Sequence, residues 1–196
     1  MKKRQRLTRK QSQEQTQRHL LDAAIELFLE KGFARSSVEE IAERAGYSKG
    51  AIYSNFSSKE ELALAVLERR GDEQLERFST VLMAQGGDAT FWHGEATSGA
   101  EGVWEILKME LWVQALYDES LRQRLAVQDE QIREAAARIL SGGAEPTPQQ
   151  RDAVTLVIAL SSGLALQYTV SQDPHLFELW ATFAARLFNE LPPHQK

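Results

Sequence analysis

The stretch "SVEEIAERAGYSKGAIYSNFSSKEEL", residues 37–62, constrains the fold more than any other part of the chain. Ser37, with Glu40 three residues on, has the pattern of a capping box. Val38, Ile41, Ala42 and Ala45 follow at helical spacing, one apolar face two turns long. Gly46 supplies a left-handed stop, Ser48 is the next N-cap, and Ile52 and Phe56 form the inward face of a second two-turn helix. Isolated helices shorter than about 12–15 residues rarely hold in water, so both must be stabilised by packing on their neighbours. Ser57 and Ser58 each have a Glu three residues later, so either can cap a long third helix running to about Met83.

Two short helices joined through Gly46-Tyr47 are the helix-turn-helix construction, whose second helix enters a DNA major groove with its N-terminal residues leading. The outward positions Lys49, Gly50, Ala51, Tyr53, Ser54 and Asn55 are small, basic or hydrogen-bonding, which suits that use. Gly50 costs roughly 1 kcal/mol of helix stability against Ala, which makes sense where backbone approaches a ligand closely. Lys59 opposes the dipole of the helix it opens; beside a serine cap and free backbone N–H groups it is expected to clamp a phosphate.

Charge follows the same division. The net charge is −5, yet residues 1–59 hold 12 Lys and Arg against 7 Asp and Glu, and residues 60–196 hold 11 against 21. Basic charge gathered at one end is the footprint of a polyanion partner. Residues 1–12 carry six basic residues and no acid, and are expected to form a flexible arm whose Arg4 and Arg6 reach DNA.

Other classes find little support. With 42% hydrophobic and 26% charged residues the composition is that of a soluble globular protein. The absence of cysteine removes disulfides and thiolate chemistry, and fits a reducing cytoplasm. The basic N-terminus continues into polar residues, so a secretory apolar region is missing. The most apolar run, Ala153 to Leu166, has 14 residues, short of the roughly 18–20 that span a bilayer. No H-E-x-x-H, Walker A or G-x-S-x-G pattern occurs and the four histidines are scattered, so an enzyme is not expected. His93 and Glu95 are too few for a metal site, and no cofactor is implied.

Helical patterns are predicted over about 13–31, 101–117, 120–140, 148–171 and 175–190, with a loop over 85–100 and a breaker at "SGGAEPTP". No segment reads as a strand. The fold class is all-α: an arm (1–12), a three-helix helix-turn-helix domain (13–60) and a helical ligand-binding and dimerisation bundle (61–196).

The run from about Arg18 to Leu62 resembles the N-terminal DNA-binding domain of the TetR family of one-component transcriptional regulators. The resemblance is carried in order and without gaps by Ala24, Leu27, Phe28, Gly32, Ser37, Val38, Ile41, Ala42, Ala45, Gly46, Ser48, Gly50, Tyr53, Phe56, Lys59 and Leu62. It implies that Ser37 bonds a phosphate as well as capping its helix, that Lys49, Gly50 and Ser54 face base edges, and that Tyr53 and Asn55 hold phosphates. Lys59 would clamp the backbone, and Arg35 and Ser48 complete the DNA-facing set. Ala51 stands where many members carry a hydroxyl, so its contact would be apolar.

The C-terminal half must then dimerise and sense. Trp104, Leu107 and Leu111 share one face of helix 101–117, and Met109, Trp112 and Leu116 another, the pattern of a sandwiched helix. All four tryptophans (92, 104, 112 and 180) lie in this half. A small apolar or aromatic effector enclosed by Phe78, Trp104, Met109, Trp112 and Tyr168 is expected, acting by tilting the long helix that links the two halves. The last two helices, with Leu160, Gly163, Leu176, Trp180, Phe183 and Leu187, are expected to form a two-fold four-helix dimer interface. The expected protein is thus a cytoplasmic, ligand-released homodimeric repressor of a pseudo-palindromic double-stranded DNA operator, with no membrane partner. The competing reading is a DNA-binding regulator without a small-molecule inducer, governed by a protein partner or by concentration.

Overall fold

The computed structural model describes residues 8–85 and 99–189. Arg4, Arg6, Trp92, His93 and Glu95 lie outside the described residues. Eight helices and no strand occur among the described residues. They are α1 (Arg9–Lys31), α2 (Val38–Ala45), α3 (Lys49–Tyr53), α4 (Lys59–Gln85), α5 (Gly99–Ala115), α6 (Glu119–Leu140), α7 (Pro148–Ser171) and α8 (His175–Asn189). The chain divides into two compact units, Met1–Leu67 and Glu68–Lys196, with the division inside α4.

The first unit is built on α1, which begins four residues before the expected start at Gln13. Thr8 accepts from the Gln11 backbone N–H at 3.2 Å, and the Gln11 side chain accepts from the Thr8 backbone N–H at 2.9 Å. This reciprocal Thr–Gln capping box extends the helix into what composition alone marked as arm. Leu20, Ala24, Leu27 and Phe28 of α1 are buried with Phe33, Ile41, Ile52 and Leu62. Phe28 and Phe33 pack in a tilted arrangement with ring centroids 5.5 Å apart. Gly32 (φ 83°) turns the chain out of α1.

Ser37 and Glu40 form the expected box at the start of α2, and Gly46 (φ 75°) ends that helix in the left-handed conformation. Only one turn and a half follow in α3, and Phe56, though buried, lies beyond the helix. The cause is local. Ser54 Oγ and Asn55 Nδ2 both donate to the Ala51 carbonyl, at 2.9 and 2.7 Å, and so compete with the helical ladder. A helix of five residues is held in place by Ile52, which is completely buried. Ser58 caps α4 by accepting from the Glu61 backbone N–H at 3.1 Å.

In the second unit α7 is the central helix, packed on α5, α6 and α8. Its Val157 and Leu164 join Trp180, Ala181 and Ala184 of α8 in one buried cluster; Val154 joins Ala136, Ala137 and Leu140 of α6 in another. A Cβ at Gly71 of α4 would come within 2.8 Å of Ile132 Cδ1 of α6, so these two helices meet closely there and a larger residue would require the Ile132 side chain to shift. The α6–α7 connection turns on Gly142 (φ 66°) and Gly143 (φ 86°). Arg151 then fastens it, donating to Glu134 at 3.0 Å and to the Pro146 carbonyl at 2.7 Å.

α7 is long and apolar enough to cross a membrane by length and composition, with a mean hydropathy of 1.6 in its most apolar window. The 14-residue run from Ala153 to Leu166 is only part of this 24-residue helix, so that count understated its length. Three packed neighbours use one side of the helix as core; 28% of the window is buried within the chain, so an apolar flank is left over.

Candidate nucleic-acid interface

α2 and α3 present one outward surface. Ser48, Lys49, Gly50, Tyr53 and Ser54 are all exposed there, while Ala51 and Asn55 are half-buried. The Ser48 side chain is exposed and makes no capping hydrogen bond, so its hydroxyl is not committed to the helix. A Cβ on Gly50 would meet only Ser48 Oγ, at 3.7 Å, so the protein itself does not require glycine at this position. Tyr53 is 49% exposed, an aromatic hydroxyl standing on the helix surface.

Lys49 is tied across the two helices: its ammonium pairs with the Glu39 carboxylate of α2 and lies 5.7 Å from the centre of the Tyr53 ring. The hydrogen bond holds the Glu39 carboxyl below the usual carboxylate range and raises Lys49 above its own. Glu39 is a member of this surface that motif reading missed. Its partner depends on how α2 and α3 cross, and no local spacing encodes that.

Several expected contacts are occupied by the fold. Ser37 Oγ donates to Glu40 Oε2 at 2.7 Å and accepts from the Glu40 N–H, so its hydroxyl serves the cap. Lys31 reaches the same carboxylate at 2.5 Å, and these contacts, Lys31 first, take the Glu40 carboxyl down to about 2. Arg35, exposed, is anchored through Nε to the Lys31 carbonyl at 2.8 Å. Asn55 spends Nδ2 on the Ala51 carbonyl, and its buried Oδ1 accepts no hydrogen bond. It therefore terminates α3 instead of reaching outward. Lys59 departs furthest from expectation: Nζ donates to the carbonyls of Phe33 and Ser36, at 2.8 and 2.9 Å, and turns inward.

The effector set is divided. Phe78, Trp104 and Tyr168 are half-buried in the second unit, and the Arg70 guanidinium lies 5.5 Å from the centre of the Trp104 ring. Met109 and Trp112 are each 38% exposed, with Lys108 Nζ 5.4 Å from the Trp112 ring centre. The sandwiched reading of α5 is thereby corrected: Leu107 and Leu111 take the one buried face, and Met109, Trp112 and Leu116 project from the far side. The dimerisation set divides too. Leu160, Leu176 and Leu187 pack against the cluster that contains Trp180, and so belong to this chain's own core. Phe183 remains exposed, and a Cβ at Gly163 would meet nothing within 4 Å.

A recognition helix seated on a three-helix core, joined to a second helical unit, defines a helix-turn-helix DNA-binding regulator. Residues 20–66 match the family described as bacterial regulatory proteins, tetR family, and residues 103–191 match the BetI-type transcriptional repressor C-terminal domain. The HTH-type transcriptional regulator YfiR of Bacillus subtilis is 30% identical over 139 residues, 68% of each chain. The transcriptional activator FasR of Mycolicibacterium smegmatis is 53% identical over 53 residues; that match spans 27% of this chain and only 24% of FasR. A transcriptional regulator from Rhodococcus sp. RHA1 superposes with a TM-score of 0.66 at 26% identity, covering 90% of this chain and 99% of that one. The chain belongs to the TetR family: it is a DNA-binding transcriptional regulator and not an enzyme.

Proposed function

We propose that this regulator is a cytoplasmic homodimeric repressor that binds a pseudo-palindromic operator through α3 and is released by a small apolar or aromatic effector. The observation that carries the DNA half is the exposed set Ser48, Lys49, Gly50, Tyr53 and Ser54 on a helix anchored by a fully buried Ile52. Lys49, Gly50 and Ser54 face base edges, and Tyr53 with Ser48 meets phosphates. Arg4, Arg6 and Arg35 add positive charge at the flanks.

The likeness of residues 103–191 to a repressor C-terminal domain supports repression. The dimer interface is the outward flank of α7 and α8, where Leu156, Val170, Leu179 and Phe183 stay exposed and Gly163 leaves space for a partner backbone. The two-fold axis sets α3 and its copy against half-sites one helical turn apart, about 34–36 Å, or a multiple of it. The effector binds beside the half-buried Trp104 and Tyr168 of the second unit, with Phe78 packed against the core clusters of that unit, and α4, which enters both units, transmits its presence. A coupling of about 1–3 kcal/mol between the two sites lowers DNA affinity some 5- to 150-fold.

Footprinting on the DNA flanking the protein's own gene, with and without compounds found by a thermal-shift screen, tests this. Protection of an inverted repeat that is lost on adding a compound is the expected result. Protection of a single half-site, or protection unmoved by any compound that raises the melting temperature, overturns the dimer or the effector part respectively.

A further inference from the structure

We propose that Glu39 is a positioning residue for sequence discrimination, holding the Lys49 ammonium off the phosphate backbone so that it reads base edges. The inference rests on the reading of α3 as the recognition helix. Glu39 lies on α2 and Lys49 opens α3, and the pair spans the two helices of the motif. The same ammonium sits over the Tyr53 ring, so it is fixed from two directions, by a carboxylate and by an aromatic face. A free lysine side chain is a flexible point charge that reaches the nearest phosphate and gains affinity on any sequence. A lysine held by a carboxylate carries little net charge to a phosphate. Its remaining N–H donors stay available for acceptors in the major groove, where guanine offers O6 and N7. The uncompensated arrangement would also set a carboxylate among phosphates, so Glu39 itself disfavours binding wherever the ammonium is drawn away from it. Both effects weaken binding to random DNA more than binding to the chosen site, which is how a repulsive element produces specificity.

The test uses fluorescence anisotropy over a range of salt, on a random-sequence duplex and on the duplex that the wild type selects from a randomised pool. Glu39→Gln is expected to bind the random duplex about eightfold tighter at 0.1 M salt, the factor that one further released counterion supplies, with a salt slope about one unit steeper. The ratio of selected to random affinity is expected to fall by a similar factor. Lys49→Gln is expected to lose affinity for the selected duplex, and adding Glu39→Gln to it should then raise affinity for both duplexes alike, leaving the ratio of selected to random affinity where Lys49→Gln puts it. If Lys49→Gln weakens binding while Glu39→Gln leaves slope and ratio at wild-type values, the positioning role is overturned and α3 still reads DNA. If Lys49→Gln itself changes nothing, the recognition-helix role of Lys49 fails, and this inference with it. Glu39→Gln weakening both duplexes alike, with a lower melting temperature, would make Glu39 a structural partner only and also overturn the proposal.

Discussion

The Lys59 ammonium lies 4.1 Å from the centre of the Phe33 ring and donates to the Phe33 carbonyl at 2.8 Å, so one side chain grips both the ring and the backbone of one residue. A second bond to Ser36 O at 2.9 Å makes Lys59 the fastening between the start of α4 and the turn that joins α1 to α2. That turn carries Gly32 and leads into the Ser37 cap, so its position sets where α2, and with it α3, begins.

Lys59→Met is accordingly expected to lower stability by about 1.5–3 kcal/mol, the range for hydrogen bonds from a charged donor, in urea unfolding followed by circular dichroism. The salt dependence of DNA binding should shift by well under one unit. A drop of about one full unit with unchanged stability would show a phosphate contact in place of the fastening.

Gly50→Ala separates folding from binding. The added methyl meets only Ser48 Oγ in the free protein, so thermal stability should rise by about 0.5–1 kcal/mol through helix propensity. Operator affinity should fall at least severalfold, because the methyl occupies the space between helix and groove. Equal binding by both proteins in an anisotropy titration would mean that the backbone at Gly50 stays clear of DNA.

Acid should loosen the first unit through Glu40. Its carboxyl is depressed to about 2, by Lys31 first and then Ser37, so the contribution is fully present above the ordinary carboxylate value near 4.3 and is lost as pH falls toward 2. In melting curves between pH 5 and 2, Glu40→Gln should be less stable than wild type at the upper end and converge on it at the lower end. A constant gap across that window would assign the effect to packing.

At the C-terminus two neighbours should behave in opposite ways. Trp180 is buried in the α7–α8 cluster, and Trp180→Ala should cost about 3–5 kcal/mol of stability. Leu179 is 53% exposed, and Leu179→Asp should leave the protomer folded while shifting it to monomer in light scattering. A dimer that survives Leu179→Asp would exclude this flank as the interface.

What could be read along the chain was whatever acts between residues three or four apart. The capping box at Ser37, the left-handed Gly46 stop and the 3.6-residue periodicity of Leu20, Ala24, Leu27 and Phe28 are local, so the all-α class and the helix-turn-helix were legible in the residues alone. The same local rules cover the Thr8–Gln11 box, which extends α1, and the rivalry of Ser54 and Asn55 for the Ala51 carbonyl, which shortens α3; the first was masked by the basic composition of the N-terminus and the second by the helical spacing of Ile52 and Phe56.

The tertiary structure decided the destinations of long side chains and the assignment of apolar faces. Lys59 meets carbonyls 23 and 26 residues away, and Glu39 meets Lys49 across a helix crossing. Trp180 turns to its own core while Leu179 turns out, and Trp112 projects from α5 beside a buried Leu111. Sequence determined that apolar faces exist, because burial of a stripe stabilises any helix that carries one. Which stripe is buried in the chain, and which basic group is left for DNA, depends on the angles at which helices cross. Those angles come from the packing of many side chains at once, and no single stretch of the chain contains them.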